Sequence, residues 1–379
     1  MMRAPDRAVA LAGALSAVLV LTACRASGSS GSSGAGVKTV AVSLTDAGCS
    51  PAALQIAAGP TTFVVTNQGA DAVTEFEIVK DGTIVGEVEN VAAGLERSFS
   101  LNVDAGTYET RCPGGTDAAT GTLTATGAAA SSTGAASASV DAAVVAYRTY
   151  IETKTDQLVA RTRVFTAAVL AGDQERARST FAWAREPYEA IEPVAEAFGD
   201  LDPEIDARAN DVPANTWTGF HRLEKALWVD RSLAGMAPVA TKLRADVAKL
   251  HALVRTVELD PAQIANGATE LLGEVSKSKI TGEEDRYSHT DLWDFRSNVD
   301  GAQAAFVALR PLLAERDPAL AALIAARFGA VDRALDPYRR GSGFVPYTDL
   351  DDNDTRTLSS TIDALAEPLS KVAGTVVGA

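Results

Sequence analysis

Gly127-Ala128-Ala129-Ala130-Ser131-Ser132-Thr133-Gly134-Ala135-Ala136-Ser137-Ala138-Ser139 is the stretch on which the fold turns. It contains only Gly, Ala, Ser and Thr, offers no apolar stripe to a core, and reads as a linker over residues 127–139. The hydrophobic period differs on its two sides. Ahead of it, residues 37–126 alternate in short runs: Val37–Val42, Thr61–Thr66, Glu75–Val79, Thr83–Val88, Arg97–Leu101 and Gly121–Ala125. Asn67-Gln68-Gly69, Lys80-Asp81-Gly82 and Asp104-Ala105-Gly106 punctuate them as turns, which predicts a small β-sandwich. Behind it the period becomes helical. Helices are expected over 140–170, 174–198, 216–233, 236–259, 261–278, 291–313, 318–338 and 357–372. All four tryptophans lie in this half. The fold class is therefore multidomain β + α, a β-sandwich followed by an all-α bundle domain of eight helices over 140–379.

The N-terminus is of a different kind. Arg3 and Arg7 precede an apolar run from Ala8 to Leu21, a secretory-signal pattern too short for a comfortable membrane span. The run ends in Leu21-Thr22-Ala23-Cys24, which resembles the lipobox of bacterial lipoproteins. The expectation is a signal peptide over 1–23, a lipid anchor at Cys24 on the outer face of the cell membrane, and a Ser/Gly-rich tether over 24–36. An ordinary secretory signal with a fortuitous cysteine is the plainer alternative.

The 379 residues carry 49 acidic and 34 basic side chains, a formal charge of −15. Loss of Arg3, Arg7 and Asp6 with the signal moves this to about −16, and both domains share the negative sign. A nucleic-acid surface is disfavoured and cations are favoured as ligands. Three cysteines cannot staple a disulfide-dense scaffold, and three histidines leave little for an imidazole-rich metal site.

Within the β domain, Cys49 and Cys112 leave three readings open. They pair as a disulfide, they act as thiolates with Glu75 or Glu77 for a soft ion such as copper, or the glutamates are simply solvated on an edge strand. Alternation puts Glu75 and Glu77 on one strand face. No His or Met lies in this domain, which rules out a blue-copper centre.

In the helical domain the informative motif is Gly219-Phe220-His221-Arg222-Leu223-Glu224. His and Glu at i,i+3 project from one helix face and can reach one ion; the plainer role for His221 is a buried, hydrogen-bonded histidine. Glu186, Glu189, Glu192 and Glu196 recur at near-helical spacing, with Pro187 as a kink or first turn, and Asp200–Asp206 adds further acids. Carboxylates with one histidine favour iron, manganese or zinc. Gly282-Glu283-Glu284-Asp285-Arg286-Tyr287-Ser288-His289-Thr290-Asp291-Leu292-Trp293-Asp294-Phe295 reads as a polar loop feeding a helix, capped by Thr290 or Asp291. His289 is a ligand or an orienting neighbour there, and His251 is a surface or interface residue.

The Gly-x-His-x-x-Glu motif, Tyr188–Pro193 and Gly282–Phe295 together resemble the imelysin-like helical domain of EfeO-type iron-uptake proteins. Gly106–Cys112 followed by Gly121–Ala125 is similar to the end of a cupredoxin-like domain, and that domain in front of an imelysin-like one is the arrangement of this family. The resemblance spans residues 37–377. It implies an extracytoplasmic protein that binds ferrous or ferric iron as cargo and works with a membrane iron permease, EfeU, and a haem peroxidase, EfeB. It also implies a helical site at His221 and Glu224 with Glu189, Glu192 and Asp206, and a second site at Cys49, Glu75 and Cys112 for copper or iron; zinc is a weaker alternative. Many members are soluble periplasmic proteins, whereas Cys24 points to a tethered form. Imelysin-like domains also carry a peptidase label, so a metal-dependent peptidase is the alternative function. Against it, residues 221–224 supply one histidine where a His-Glu-x-x-His zinc helix needs two. There is no nucleophile elbow, P-loop or dinucleotide fingerprint, so a binding protein is expected rather than an enzyme.

Overall fold

The structure, a computed structural model, describes residues 37–377 apart from 118, 128–134, 200 and 278. The signal segment 1–23, Cys24, the tether 24–36 and linker residues 128–134 lie outside the described residues.

Alternation builds the first half. Strand β4 (Gly59–Asn67) buries every second residue, so Thr61, Phe63, Val65 and Asn67 face inward. It sits in a four-stranded sheet, order β2 (Gly48–Ser50), β1 (Lys38–Thr45), β4, β7 (Glu96–Val103), with β1 and β4 parallel. The opposing sheet has five strands, order β3 (Ala53–Ala57), β9 (Thr120–Thr126), β8 (Gly106–Arg111), β5 (Phe76–Lys80), β6 (Thr83–Val88). Phe63, Phe76 and Phe99 fill the space between the sheets, with Phe63 and Phe99 stacked at 5.2 Å.

The second half is helical, with eleven α-helices among the described residues where eight were expected. Helix α1 (Ala135–Leu170) begins inside the stretch read as linker. Alanine is the best helix former, so a helix nucleated by packing further on extends back through Ala135–Ser139 at little cost. The expected helix over 174–198 divides into α2 (Gln174–Glu189) and α3 (Glu192–Glu196). Pro187 lies in the last turn of α2, and Pro193, which lacks an N–H, opens α3. After α4 (Leu201–Asp206), α5 (Gly219–Lys225) runs into a π-helical turn (Ala226–Asp230) that ends at Arg231 with φ 49°. Then follow α6 (Ala237–Val254), α7 (Pro261–Lys277), α8 (Asp291–Arg316) and α9 (Pro318–Leu335). A short hairpin, β10 (Arg339–Arg340) and β11 (Gly343–Phe344), precedes α10 (Asp352–Leu369) and α11 (Lys371–Val377). Phe165 of α1, Phe181 of α2 and Phe220 of α5 meet at 5.8 to 6.5 Å between centroids and form the apolar floor beneath the site described below.

The sandwich rests on the helices through polar backbone contacts. Ile84 N–H donates to Ala197 O at 3.0 Å, Gln263 Nε2 to Val85 O at 3.0 Å, and Asn266 Nδ2 to Ser100 O at 2.9 Å. No helix among the described residues is long and apolar enough to cross a membrane.

Candidate metal centre

Gly219 sets the position of the first ligand candidate. It opens α5 at φ 83°, and a Cβ there would fall 2.1 Å from Ile205 O on α4. Only glycine permits that conformation and that approach together. The close contact of α4 with α5 brings His221 beside Asp206.

Both ring nitrogens of His221 face carboxylates. Nδ1 lies 3.1 Å from Glu224 Oε2 and 3.9 Å from Asp285 Oδ1; Nε2 lies 3.3 Å from Glu284 Oε1 and 3.6 Å from Asp206 Oδ2. Two overlapping groups follow, Asp206–His221–Glu284 and His221–Glu224–Asp285, each with ligand atoms within 4.8 Å of one another. Burial and the Arg185 charge act to lower the His221 pKa, but Asp206 and Glu224 outweigh them and hold it well above the ordinary histidine range. The imidazolium then occupies the place where a cation would sit.

Each carboxylate is held by a different element. Glu224 turns its other oxygen to the loop after α7, accepting from Tyr287 N–H (3.0 Å), Ser288 N–H (2.7 Å) and Ser288 Oγ (2.9 Å). Glu284 accepts from Arg185 at 3.1 Å and Arg208 at 3.0 Å. Arg185 of α2 is buried at the centre, against the faces of Phe181 and Phe220, and pairs with Asp206, Glu189 and Glu284. Its Nε stands 3.5 Å from both Asp285 Oδ1 and Asp294 Oδ1, and none of these three atoms has a hydrogen-bond partner. Orphaned buried polar atoms of this kind mark a site organised for something besides packing.

Of the expected residues, His221, Glu224 and Asp206 come together. Glu189 and Glu192 stand next to them on the buried Lys279, whose Nζ donates to Glu189 at 2.6 Å and Glu192 at 2.8 Å. They join Asp206 in a further carboxylate group. Glu186 points away to Arg161, and Glu196 sits at the seam with the sandwich. His289 joins no metal-capable group among the described residues. It is a half-buried turn residue at φ 58°, donating its N–H to Asp285 O and accepting from Tyr347 N–H. Thr290 is the N-cap of α8 by position, but its hydroxyl donates to Asp285 instead of capping the helix. His251 pairs with Asp156 at 2.7 Å on the surface.

Of the three readings left open for the β domain, the structure shows the disulfide. Cys49 and Cys112 form a disulfide with Cα atoms 5.9 Å apart, so neither sulfur is present as a metal thiolate. Glu75 does not complete a set with them; it groups with Glu77 and Glu87. Arg185, Lys279, Glu284, Asp285 and Asp294 also stand in this helical cluster, with no motif in the sequence to mark them as a set. The acidic run at 283–285 was the available signal for two of them.

A β-sandwich joined to a helical domain that encloses one histidine among carboxylates defines a two-domain class of cation-site protein. Residues 143–372 match the family described as Imelysin, and residues 13–125 match the cupredoxin-like domain. The chain is 41% identical over 349 residues to the iron uptake system component EfeO of Escherichia coli (strain K12), covering 90% of this chain and 92% of that protein. The iron uptake system components EfeO of Shigella flexneri and of Escherichia coli O1:K1 / APEC match to the same extent, 41% over 349 residues. The chain belongs to the EfeO family of imelysin proteins.

Proposed function

We propose that this protein is the extracytoplasmic iron-binding component of an uptake system, capturing iron at His221 and presenting it to a membrane permease. The observation that carries the reading is His221 itself, buried with both nitrogens on carboxylates. A proton holds the place when no metal is bound. An incoming ion displaces it and takes over one side of the ring, with Asp206 and Glu284 or with Glu224 and Asp285 as oxygen donors. Mixed carboxylate and imidazole donors suit ferrous or ferric iron better than a soft ion. Arg185 and Lys279 offset the remaining acids, so the pocket stays folded when empty.

Each metal-capable group among the described residues contains at most one histidine, which supports a binding role over a zinc peptidase. Zinc competes for the same donors but is not the assigned cargo. Copper handling by Cys49 and Cys112 requires prior reduction of their disulfide. The signal pattern and Cys24 support a lipid-anchored form on the outer face of the cell membrane, with the tether 24–36 setting its reach. The partners are a permease of the EfeU type and a haem peroxidase of the EfeB type. The test is iron uptake together with metal content in cells carrying His221→Ala or Glu224→Ala. Both variants should lose protein-bound iron and uptake while the protein level is unchanged; normal uptake in both would remove the reading.

A further inference from the structure

A second group of acids lies where the two domains meet, away from the His221 pocket. Glu87 of β6, Glu196 of α3 and Glu270 of α7 bring one oxygen each within 4.8 Å of the others, although they are far apart in sequence. Glu87 also belongs to a group with Glu77 on the neighbouring strand β5, which it opposes in register, and with Glu75 just ahead of that strand. Glu77 is only 7% exposed, and its Oε2 is buried with no hydrogen-bond partner. A buried carboxylate oxygen without a donor is destabilising unless something fills the role.

The charged neighbours bearing most on these groups are other carboxylates. Burial first, then Glu89 and Glu77, push Glu75 up to about 9. Burial, then Glu89 and Glu274, push Glu270 up to about 8. The nearby cation Arg97 faces Glu274. Access exists on both sides, since Glu87 and Glu270 line a seam cavity of about 1110 Å³ and a smaller one of about 260 Å³.

We propose that Glu87, Glu196 and Glu270, backed by Glu75 and Glu77, form a hard-cation site that ties the β-sandwich to the helical domain. The donors are carboxylate oxygens alone, the chemistry of manganese or calcium rather than of a soft ion. Ligands from both domains make the ion a clamp: its binding free energy is available only while the seam is closed. In its absence, protons take its place on the carboxylates.

The test uses manganese(II), followed by electron paramagnetic resonance on the whole protein. Wild type should bind one more ion than Glu87→Gln/Glu270→Gln, or bind it at least tenfold more tightly, and His221→Ala should keep the seam ion. Glutamine imitates the protonated acid, so the fold should persist. Equal manganese binding in wild type and the double variant would overturn the proposal. As a second measurement, in the His221→Ala background manganese should raise the melting temperature of the protein and not of its Glu196→Gln derivative; an equal rise in both would also overturn it. Because His221→Ala separates the two sites, failure here is distinguishable from failure of the iron site.

Discussion

His221 and Glu224 lie on one turn of α5, but the neighbour that decides where they stand is Gly219. At φ 83°, with Ile205 O where a Cβ would be, any side chain must displace α5 from α4. Gly219→Ala should therefore destabilise the protein by about 2 kcal/mol or more, read as a lower melting temperature, and weaken iron binding without touching a ligand. A variant with wild-type melting and binding would remove Gly219 from this role. At the same scale, the i,i+3 pair was legible in the sequence because helical periodicity alone places both side chains on one face. Arg185 and Lys279 were not. A single basic residue in an acidic chain gives no local sign that folding will bury it, and only the packed helices bring five carboxylates to one guanidinium.

Among the elements, strands were read more surely than helices. The alternation of β4 needs no tertiary information, whereas the division of α2 from α3 depends on where Pro187 and Pro193 fall relative to a helix end. The short strands β2 and β3 carry too few residues to show a period. The disulfide joins β2 to the end of β8 across a sequence separation of 63, and loop-closure entropy puts its contribution at about 4 kcal/mol. Reduction, or Cys49→Ser/Cys112→Ser, should lower the stability of the sandwich by an amount of that order in denaturant titration. Iron binding at His221 should survive, because no sulfur takes part in it. Loss of iron binding on mild reduction would argue for a thiolate role after all.

Across the whole molecule, buried acids make stability depend on pH in a definite direction. Glu75 and Glu270 have folded-state values of about 9 and about 8, raised above the unfolded value near 4.5. Their contribution is fully present below about 4.5 and is lost as pH rises through 8 to 9. Glu284 acts in the opposite sense. Burial opposes its ionisation, but Lys279 and His221 outweigh burial and hold its pKa well below the usual carboxylate range, so its contribution is lost on acidification. Metal-free protein should thus melt highest in mildly acidic buffer and progressively lower toward pH 9. Glu75→Gln/Glu270→Gln should flatten the alkaline side, and an unchanged slope would show that these groups do not govern it. Composition announced a cation-friendly chain at a charge of −15 but could not say where the cation sits. The seam acids at 87, 196 and 270 have no common motif, and the fold alone assembles them.

In the proposed function His221 exchanges a proton for iron inside a carboxylate cage. Calorimetric iron titration in two buffers of different ionisation enthalpy tests it most directly. Wild type should show a saturable site that releases protons and tightens as pH rises from 5.5 toward 7.5. His221→Ala and Glu224→Ala should each weaken that site at least tenfold, about 1.4 kcal/mol. Unchanged affinity in both variants, with no proton released by wild type, would contradict it.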